Sequence, residues 1–317
     1  QEKVQIAPYV LSYYPLMGMS IPFLARNLER QLDSFVNSCD IVHNIRIGRE
    51  PISYASYYAA LKHNIPFVFT PLHHPRWSGW LYRFYHDLYR KADALIVLTN
   101  AERNILLNFG VDERKIHVTG NGPRLAPQAN GQRFRDAFHL GQDPIILFLG
   151  QKYVYKGFEA LAKAAEDVWK HFPDAWFVFI GPRTRFSEHF FSEVHAHRIV
   201  EIGFVDLQEK TDALAACTIL CVPSSQESFG GVYTEAWSFS KPVIGCNIPA
   251  VAEVVQDGEN GIITSQEPAQ IAEDIIQLLS NPGDAFRMGE AGKKKVEQNF
   301  SWPAIAQKIE DVYRALL

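Results

Sequence analysis

Short apolar runs alternate with longer stretches of helical periodicity along most of the chain. In the first half, Leu24, Leu28 and Leu32 recur four positions apart with polar residues between them, which is typical of an amphipathic helix. The pattern predicts helices over 23–36, 52–63, 77–91 and 101–109, and strands over 4–11, 40–43, 66–70, 94–98 and 115–119. This alternation predicts a parallel sheet with helices on both faces.

A second alternating region follows a segment at 121–130 that is rich in Gly, Pro and polar residues and is typical of a linker. Its predicted strands are 145–149, 176–180, 199–202, 218–222 and 243–246, with a turn and short strand at 258–264. Its predicted helices are 157–171, 210–216, 232–239, 269–279, 285–299 and 302–317. We therefore predict a first α/β domain over 1–122, a linker over 123–142, a second α/β domain over 143–300 and a carboxy-terminal helix over 301–317 that can return to the first domain.

Composition supports two globular domains of ordinary size. The chain has 317 residues, 47% of them hydrophobic and 21% charged. A formal charge of −4 gives no electrostatic reason to expect nucleic acid as a partner. The four cysteines show no metal-binding spacing, and Cys217, Cys221 and Cys246 fall in or beside apolar runs. Reduced, buried thiols fit a cytoplasmic location, as does the lack of a secretory signal pattern or of an apolar run near the ~20 residues that span a bilayer.

Two glutamates with seven residues between them, Glu227 and Glu235, straddle a strand-to-helix turn. The predicted strand 218–222 ends at Pro223, and Gly230 and Gly231 open the loop before the helix. Open α/β sheets bind ligands at this carboxyl end of their strands. Amides at a helix start can hold phosphate, so one carboxylate can reach a sugar and the other a ribose. Two solvated surface charges are the alternative.

The neighbouring residues make this segment more specific. Ser228-Phe229-Gly230 lies between the glutamates, Pro223-Ser224 lies before them, and Lys241-Pro242-Val243 follows. The segment resembles the Glu-x7-Glu motif of retaining GT-B glycosyltransferases, family 4 in particular. The resemblance implies the GT-B architecture, in which two doubly wound Rossmann-like domains face each other across a cleft. It also implies that Glu227 faces the donor sugar, that the amides of Phe229 and Gly230 touch sugar hydroxyls, and that Glu235 binds the ribose.

The remaining predicted donor-binding residues lie in this loop and in the segments that follow two other predicted strands. Ser228, Gly231 and Val232 belong to the same turn, and Val205 lies in a strand-end segment whose backbone, in the family, reads the nucleobase. Lys156 lies just before a helix and can supply positive charge to a diphosphate, or it is an ordinary surface lysine. Where the family usually has an arginine, this chain has Gln151, and we consider the adjacent Lys152 as a replacement for the lost charge.

Two histidines follow the predicted strand 66–70. The family often has a histidine here that contacts the donor sugar or the acceptor, so His74 is our first candidate and His73 the second. The alternative is a neutral histidine that caps a loop, and His43 is interpreted as structural. The basic, aromatic stretch 76–85 fits a membrane interface or a sugar groove, but its helical spacing favours a packed face formed by Trp77, Trp80, Leu81 and Phe84.

The predicted activity is that of a retaining hexosyltransferase. It would move a sugar from a UDP- or GDP-sugar to a hydroxyl of a glycan or lipid-linked acceptor, with Glu227, His74, His73 and Lys156 as the catalytic candidates. No Asp-x-Asp motif occurs, so we expect neither a metal nor another cofactor. The alternatives are a non-catalytic nucleotide-sugar-binding module and, more remotely, a phosphorylase.

We find no strand and glycine-rich loop of the kind that opens the family's first domain, so we expect that domain to be incomplete. A peripheral position at the inner face of a membrane and the oligomeric state are left open.

Overall fold

A computed structural model describes residues 16–45, 50–74, 77 and 79–317 of the chain. The chain divides into two units. The first contains the residues up to Gly120 together with Ala306–Leu317, and the second is Asn121–Ile305. The strand predicted over 4–11 lies outside the described residues.

The first unit is a four-stranded parallel sheet with its strands in sequential order, β1-β2-β3-β4. Strands β2 and β3 are buried along their whole length, which explains why their sequences are continuous apolar runs and not alternating ones. The strands are β1 Val42–Ile45, β2 Phe67–Thr70, β3 Ala94–Val97 and β4 Ile116–Val118. The helices are α1 Met17–Val36, α2 Glu50–His63, α3 Arg83–Lys91 and α4 Asn100–Asn108.

The carboxy-terminal helix contributes to the core of this first unit. Its Val312 packs with Val68, Ala94 and Ile96 of β2 and β3. The hydroxyl of Tyr313 also lies 2.6 Å from His43 Nδ1, while His43 Nε2 lies 2.8 Å from the Thr70 hydroxyl. With both ring nitrogens engaged inside the unit, His43 has the structural role predicted for it.

The aromatic stretch before α3 departs from the predicted packed helix face. The helix begins only at Arg83, after a 3₁₀ turn at Trp80–Tyr82. Trp80 is 63% exposed and Leu81 48% exposed, whereas Trp77 and Phe84 pack against the core. A single packed face is therefore wrong for Trp80 and Leu81, because a 3₁₀ turn has three residues per turn and does not keep the 3.6-residue register. The guanidinium of Arg83 lies over the Trp80 ring, 3.5 Å from its centroid.

The second unit is a six-stranded parallel sheet with the order β10-β9-β8-β5-β6-β7. This is the doubly wound order, in which the sheet grows in one direction from β5 to β7 and in the other from β8 to β10. The strands are β5 Ile145–Leu149, β6 Trp176–Ile180, β7 Ile199–Ile202, β8 Ile219–Val222, β9 Val243–Cys246 and β10 Ile262–Thr264. The helices are α5 Gly131–Ala137, α6 Phe158–Trp169, α7 Arg185–Glu193, α8 Leu207–Ala216, α9 Gly231–Trp237, α10 Pro249–Val254, α11 Pro268–Ser280 and α12 Pro282–Lys295. The last helix, α13 Trp302–Leu316, begins in this unit, and its residues from Ala306 on belong to the first unit. Between α12 and α13, Val296–Phe300 forms a π-helical turn.

Three of these helices were not expected from the sequence pattern. Helix α5 lies inside the segment predicted as a linker, and α7 and α10 lie in stretches for which no helix or strand was predicted. A start signal for α7 was present: the Thr184 hydroxyl accepts from the Ser187 amide and the Ser187 side chain accepts from the Thr184 amide, which is a capping box. The π-helical turn explains why the helix predicted over 285–299 ends earlier as an α-helix.

A buried carboxylate joins two strand ends of the first unit. Glu102 of α4 is 2% exposed, and its two oxygens accept from the His73 amide at 2.5 Å and the Leu98 amide at 2.8 Å. It thereby ties the loop after β2 to the loop after β3. Burial raises the pKa of Glu102 to about 7, while the two amide hydrogen bonds partly offset that rise.

We expect this carboxylate to give the chain a measurable pH dependence. Since the pKa of Glu102 is higher in the folded protein than in the unfolded chain, the folded state binds more protons between pH 4.5 and pH 7. Its contribution to the free energy of unfolding is therefore full below pH 4.5 and lost as the pH rises through 7. Glu102→Gln removes the ionisation, so the difference in unfolding free energy between wild type and variant should change steadily between pH 4.5 and pH 7, in favour of the wild type as the pH falls. Urea unfolding at several pH values measures this, and a difference that does not change with pH would contradict it.

Candidate active site

Two loops meet where the strand order of the second unit reverses. One follows β5 and runs from Gly150 to Gly157, and the other follows β8 and runs from Pro223 to Gly230. Strands β5 and β8 are neighbours in the sheet, but the connections that follow them lead to opposite sides. A doubly wound sheet leaves a crevice for ligands at such a point, outside the carboxyl ends of the strands.

An ion pair joins the two loops. The Lys156 ammonium of the β5 loop contacts Glu227 Oε1 of the β8 loop, and their side chains are only 17% and 12% exposed. The ammonium also lies 5.6 Å from the centroid of the Tyr155 ring. Because both charges are largely removed from water, each depends on the other for compensation. The structure thus brings together two residues that the sequence places 71 positions apart.

Glycine is required at one position in each of these two loops. Gly157 has φ +76°, and a Cβ atom there would lie 2.4 Å from the carbonyl oxygen of Pro223. Gly230 has φ +80°, and a Cβ atom there would lie 2.4 Å from the Tyr233 ring. Both conformations are left-handed and leave no space for a side chain, so these two glycines fix the geometry of the loops.

The second glutamate of the motif lies in the first turns of α9. Glu235 is 8% exposed, and its Oε1 accepts from Lys210 Nζ at 2.6 Å and from the Arg124 amide at 3.3 Å. Burial raises the pKa of Glu235, and the attraction of Lys210 opposes that rise. Lys210 was not identified from the sequence, because nothing in its helical position indicates a contact with Glu235, 25 residues further along the chain.

The residues between the two glutamates form the start of α9. The Phe229 side chain is 3% exposed and its ring centroid lies 5.2 Å from that of Phe300, which anchors the loop from within. Ser228 is half-buried, and Gly231 and Val232 form the first helical turn. Amides in a first turn have no carbonyl partner four residues earlier in the helix.

The structure corrects the expectation for Lys152. Its side chain is completely buried, and its ammonium contacts Glu201 Oε1 at 2.5 Å and the carbonyl oxygens of Gly181 and Ile202, each at 2.6 Å. An ammonium has three N–H donors, so these three contacts use all of them. Lys152 therefore does not replace the charge lost at Gln151, whose own side chain is exposed.

Lys152 instead organises the end of β7. Glu201 also pairs with Arg183 at 2.8 Å, so the carboxylate sits between two cations. Burial lowers the pKa of Lys152, and its pairing with Glu201 opposes that shift. The next segment contains Val205, which is half-buried, and Asp206, which caps α8 by accepting from the Glu209 amide at 2.8 Å. The sequence did not reveal that this strand end is tethered by a buried lysine.

The two candidate histidines belong to the first unit and have different surroundings. His73 is 1% exposed and its Nδ1 lies 3.0 Å from the Tyr89 hydroxyl. Burial lowers the pKa of His73 to about 4, so its ring is neutral at physiological pH. His74 is half-buried, with its ring centroid 5.7 Å from that of Trp77. Catalytic roles for both histidines stay predictions.

The described residues contain no cluster suited to a metal ion. Within them, no group of three or more His, Cys, Asp or Glu side chains is arranged to hold one. Among the helices of the same residues, none combines the length and apolar character that crossing a membrane requires. Cys217, Cys221 and Cys246 are buried free thiols, and Cys39 is an exposed one.

These features define a class of α/β protein with two parallel-sheet units and a charged site at the switch point of the second. Comparison with family models makes the class specific. Residues 132–295 match the model of the glycosyl transferases group 1, and residues 2–125 match that of glycosyltransferase family 4. The first match alone covers more than half of the 317 residues, so the chain belongs to the group 1 glycosyl transferase family.

Curated relatives are between a quarter and a third identical to this chain over the aligned residues. Spore coat protein SA of Bacillus subtilis is 29% identical over 218 residues, which are 64% of this chain and 56% of that protein. Alpha-maltose-1-phosphate synthase of Mycolicibacterium smegmatis is 28% identical over 261 residues, 75% of this chain and 66% of the relative. The chain thus covers less than two thirds of the length of these relatives.

Solved structures share the fold at lower identity. Anabaena HepE in complex with UDP and glucose has a TM-score of 0.78 at 19% identity, over 92% of this chain and 82% of that one. Sucrose-phosphate synthase from Thermosynechococcus elongatus has a TM-score of 0.79 at 20% identity, over 94% and 78% of the two chains. The two Rossmann-like units are accordingly those of the GT-B fold.

The loop junction gives a test with a matched control. We expect Gly157→Ala to destabilise the protein more than Gly258→Ala, although both residues have left-handed backbones, with φ +76° and +71°. At Gly258 the added methyl group meets no atom of the described residues within 4 Å, so only backbone strain is introduced. At Gly157 it also meets the Pro223 carbonyl, which adds about 1–3 kcal/mol of overpacking. Thermal unfolding measures both, and equal effects would show that the two loops separate easily.

Proposed function

We propose that this chain is a retaining glycosyltransferase that moves a sugar from a nucleotide-diphosphate sugar to a hydroxyl of a glycan or lipid-linked acceptor. The observation that carries the proposal is the pairing of Lys156 with Glu227 at the switch point of the second unit. It places a cation and a carboxylate at the edge where a doubly wound sheet binds its ligand.

The charges of this site suit a donor with a diphosphate. Its leaving group is anionic, and the protein must stabilise that charge as the bond to the sugar breaks. Lys156 now contacts Glu227, and its ammonium would turn some of its N–H donors from that carboxylate to the phosphate oxygens. Amides in the first turn of α9 would supply further donors.

The carboxylates have separate roles in this proposal. Glu227 would accept hydrogen bonds from hydroxyls of the donor sugar, since an ionised carboxylate has only acceptors. Glu235 would accept from the ribose hydroxyls, in competition with the Lys210 ammonium, which now occupies its Oε1. We do not assign Glu227 as a nucleophile. We propose attack on the same face that the leaving group departs from, with the leaving phosphate helping to take the proton of the acceptor hydroxyl.

A UDP-sugar is the donor to examine first. The structure of Anabaena HepE, which shares this fold, contains UDP and glucose. That occupancy belongs to HepE, and at 19% identity it supports the fold alone. GDP-sugars are therefore tested in parallel.

A non-catalytic nucleotide-sugar-binding module is the second candidate, and a specific observation favours it. Gln151 is neutral and exposed, and the adjacent Lys152 is fully engaged with Glu201 and two carbonyl oxygens. The site thus has one cation fewer than the family pattern. A guanidinium bound to phosphate contributes more than a neutral amide, because its hydrogen bonds are charge-assisted.

Calorimetric titration with UDP and GDP tests the site. We expect one nucleotide to bind, and we expect Lys156→Ala to weaken it by about tenfold to a hundredfold, since hydrogen bonds to charged groups contribute ~1.5–3 kcal/mol. Glu235→Ala should weaken it as well, because the ribose loses its acceptor. Lys163→Ala is the control: this lysine lies on α6, is 59% exposed and pairs with Glu159 on the same helix.

The outcomes separate the two candidates. Binding together with release of UDP or GDP from the matching nucleotide sugar supports the transferase. Binding without turnover in the presence of varied acceptors supports the module. If the wild-type chain binds neither nucleotide, or if Lys163→Ala weakens binding as much as Lys156→Ala, the site has been placed wrongly.

A further inference from the structure

A glutamine from a third loop lies between the two loops that carry Lys156 and Glu227. Gln266 follows β10, at the edge of the sheet, and its side chain is half-buried. Its amide nitrogen donates to the carbonyl oxygen of Pro223 at 2.7 Å and to that of Tyr155 at 3.0 Å. The two N–H bonds of one side chain are thus divided between the two loops.

Both acceptors lie close in sequence to the charged residues of the site. Tyr155 immediately precedes Lys156, and Pro223 is four residues before Glu227. The Tyr155 carbonyl also accepts from the Ser225 amide at 2.8 Å, which adds a direct link between the loops. A small displacement of either carbonyl would therefore change the separation of the Lys156 and Glu227 side chains.

The junction requires a donor at this position. Two carbonyl oxygens that converge on one point repel each other, and a group with two N–H bonds turns that repulsion into attraction. The junction is also tight, because a Cβ atom on Gly157 would lie 2.4 Å from the Pro223 oxygen and 3.0 Å from Gln266 Nε2. A side chain of similar size without N–H bonds would leave both carbonyls facing an apolar or negative group, which is costly in a half-buried place.

We propose that Gln266 is a positioning residue of the donor site: its amide holds the loops after β5 and β8 at the separation at which Lys156 and Glu227 can engage one donor together. This inference rests on the proposed function, because it assigns a purpose to a geometry that only a bound donor would use. Gln266 acts through the two loops and does not itself touch the reacting atoms.

Three variants test the inference, with UDP as the probe, or GDP if the wild-type chain binds GDP instead. Gln266→Leu keeps the approximate size and removes the donors. Gln266→Glu keeps the shape but, when ionised, presents only acceptors to the two carbonyls. Gln270→Leu is the matched control, because Gln270 is exposed on α11 and donates to Asp274 Oδ1, 3.1 Å away, and to neither loop.

We expect a definite order of nucleotide affinity at pH 8. Gln266→Leu should bind about tenfold more weakly than wild type, and Gln266→Glu more weakly still, because its carboxylate repels both carbonyl oxygens. Gln270→Leu should bind like wild type. At pH 5 the carboxyl group introduced by Gln266→Glu regains one O–H donor on protonation, so the affinity of this variant should rise relative to that of Gln266→Leu measured at the same pH. Using this ratio cancels the pH effects that both variants share, such as the titration of the nucleotide phosphate.

The possible results separate this inference from the proposed function. If wild type binds a nucleotide and Gln266→Leu binds it equally well, the positioning role is overturned and the proposed function stands. If the Leu and Glu variants lose affinity equally at both pH values, the return of an O–H donor at pH 5 has no effect, so hydrogen-bond donation by Gln266 does not set the loop separation and the role is also overturned. If Gln266→Leu does not fold, the comparison of Gln266→Glu with wild type at pH 5 and pH 8 decides in its place. If wild type binds neither nucleotide, the proposed function fails, and this inference fails with it.

Discussion

The reversal of strand order between β5 and β8 is the constraint on which the site depends. Two parallel strands lie side by side, yet the chain leaves them toward opposite sides of the sheet, so their loops diverge and leave a crevice. Each loop brings one charge to this crevice, Lys156 from one and Glu227 from the other, and the two charges compensate each other where little water reaches them. Neither charge would be tolerated at this degree of burial if the other loop were elsewhere.

Backbone groups carry much of the precision of this arrangement. Carbonyl oxygens of Tyr155 and Pro223 converge near Gly157, which has room for no side chain, and Gln266 and the Ser225 amide satisfy them. The ends of β6 and β7 are held in a similar way, since the Lys152 ammonium donates to the carbonyl oxygens of Gly181 and Ile202. In both places a polar side chain from another part of the chain donates to main-chain carbonyl groups at the ends of strands or in the loops that follow them.

In the first unit an acidic side chain satisfies main-chain amides at two strand ends. Glu102 accepts two amides at the ends of β2 and β3, and its burial keeps its pKa high in spite of them. One of those amides belongs to His73, so the loop that carries both candidate histidines is held by a buried carboxyl group. Residues 306–317 complete the core of this unit under β2 and β3, so the end of the chain contributes to the stability of its beginning.

Among the described residues, the sequence by itself determined the strands, most of the helices and the position of the segment from Glu227 to Glu235 between a strand and a helix, because these depend on local periodicity and on neighbours in the chain. It also located Lys156 in the loop that follows β5. It failed at Lys152, where a lysine beside the expected position was interpreted as a free charge, and at Trp80, where a 3₁₀ turn broke the helical register. It gave no sign of the contacts made by Lys210, Glu102 or Gln266. Those contacts join residues distant in sequence or in separate loops, and only the tertiary structure decides them, since their side chains find partners through the order in which the strands assemble.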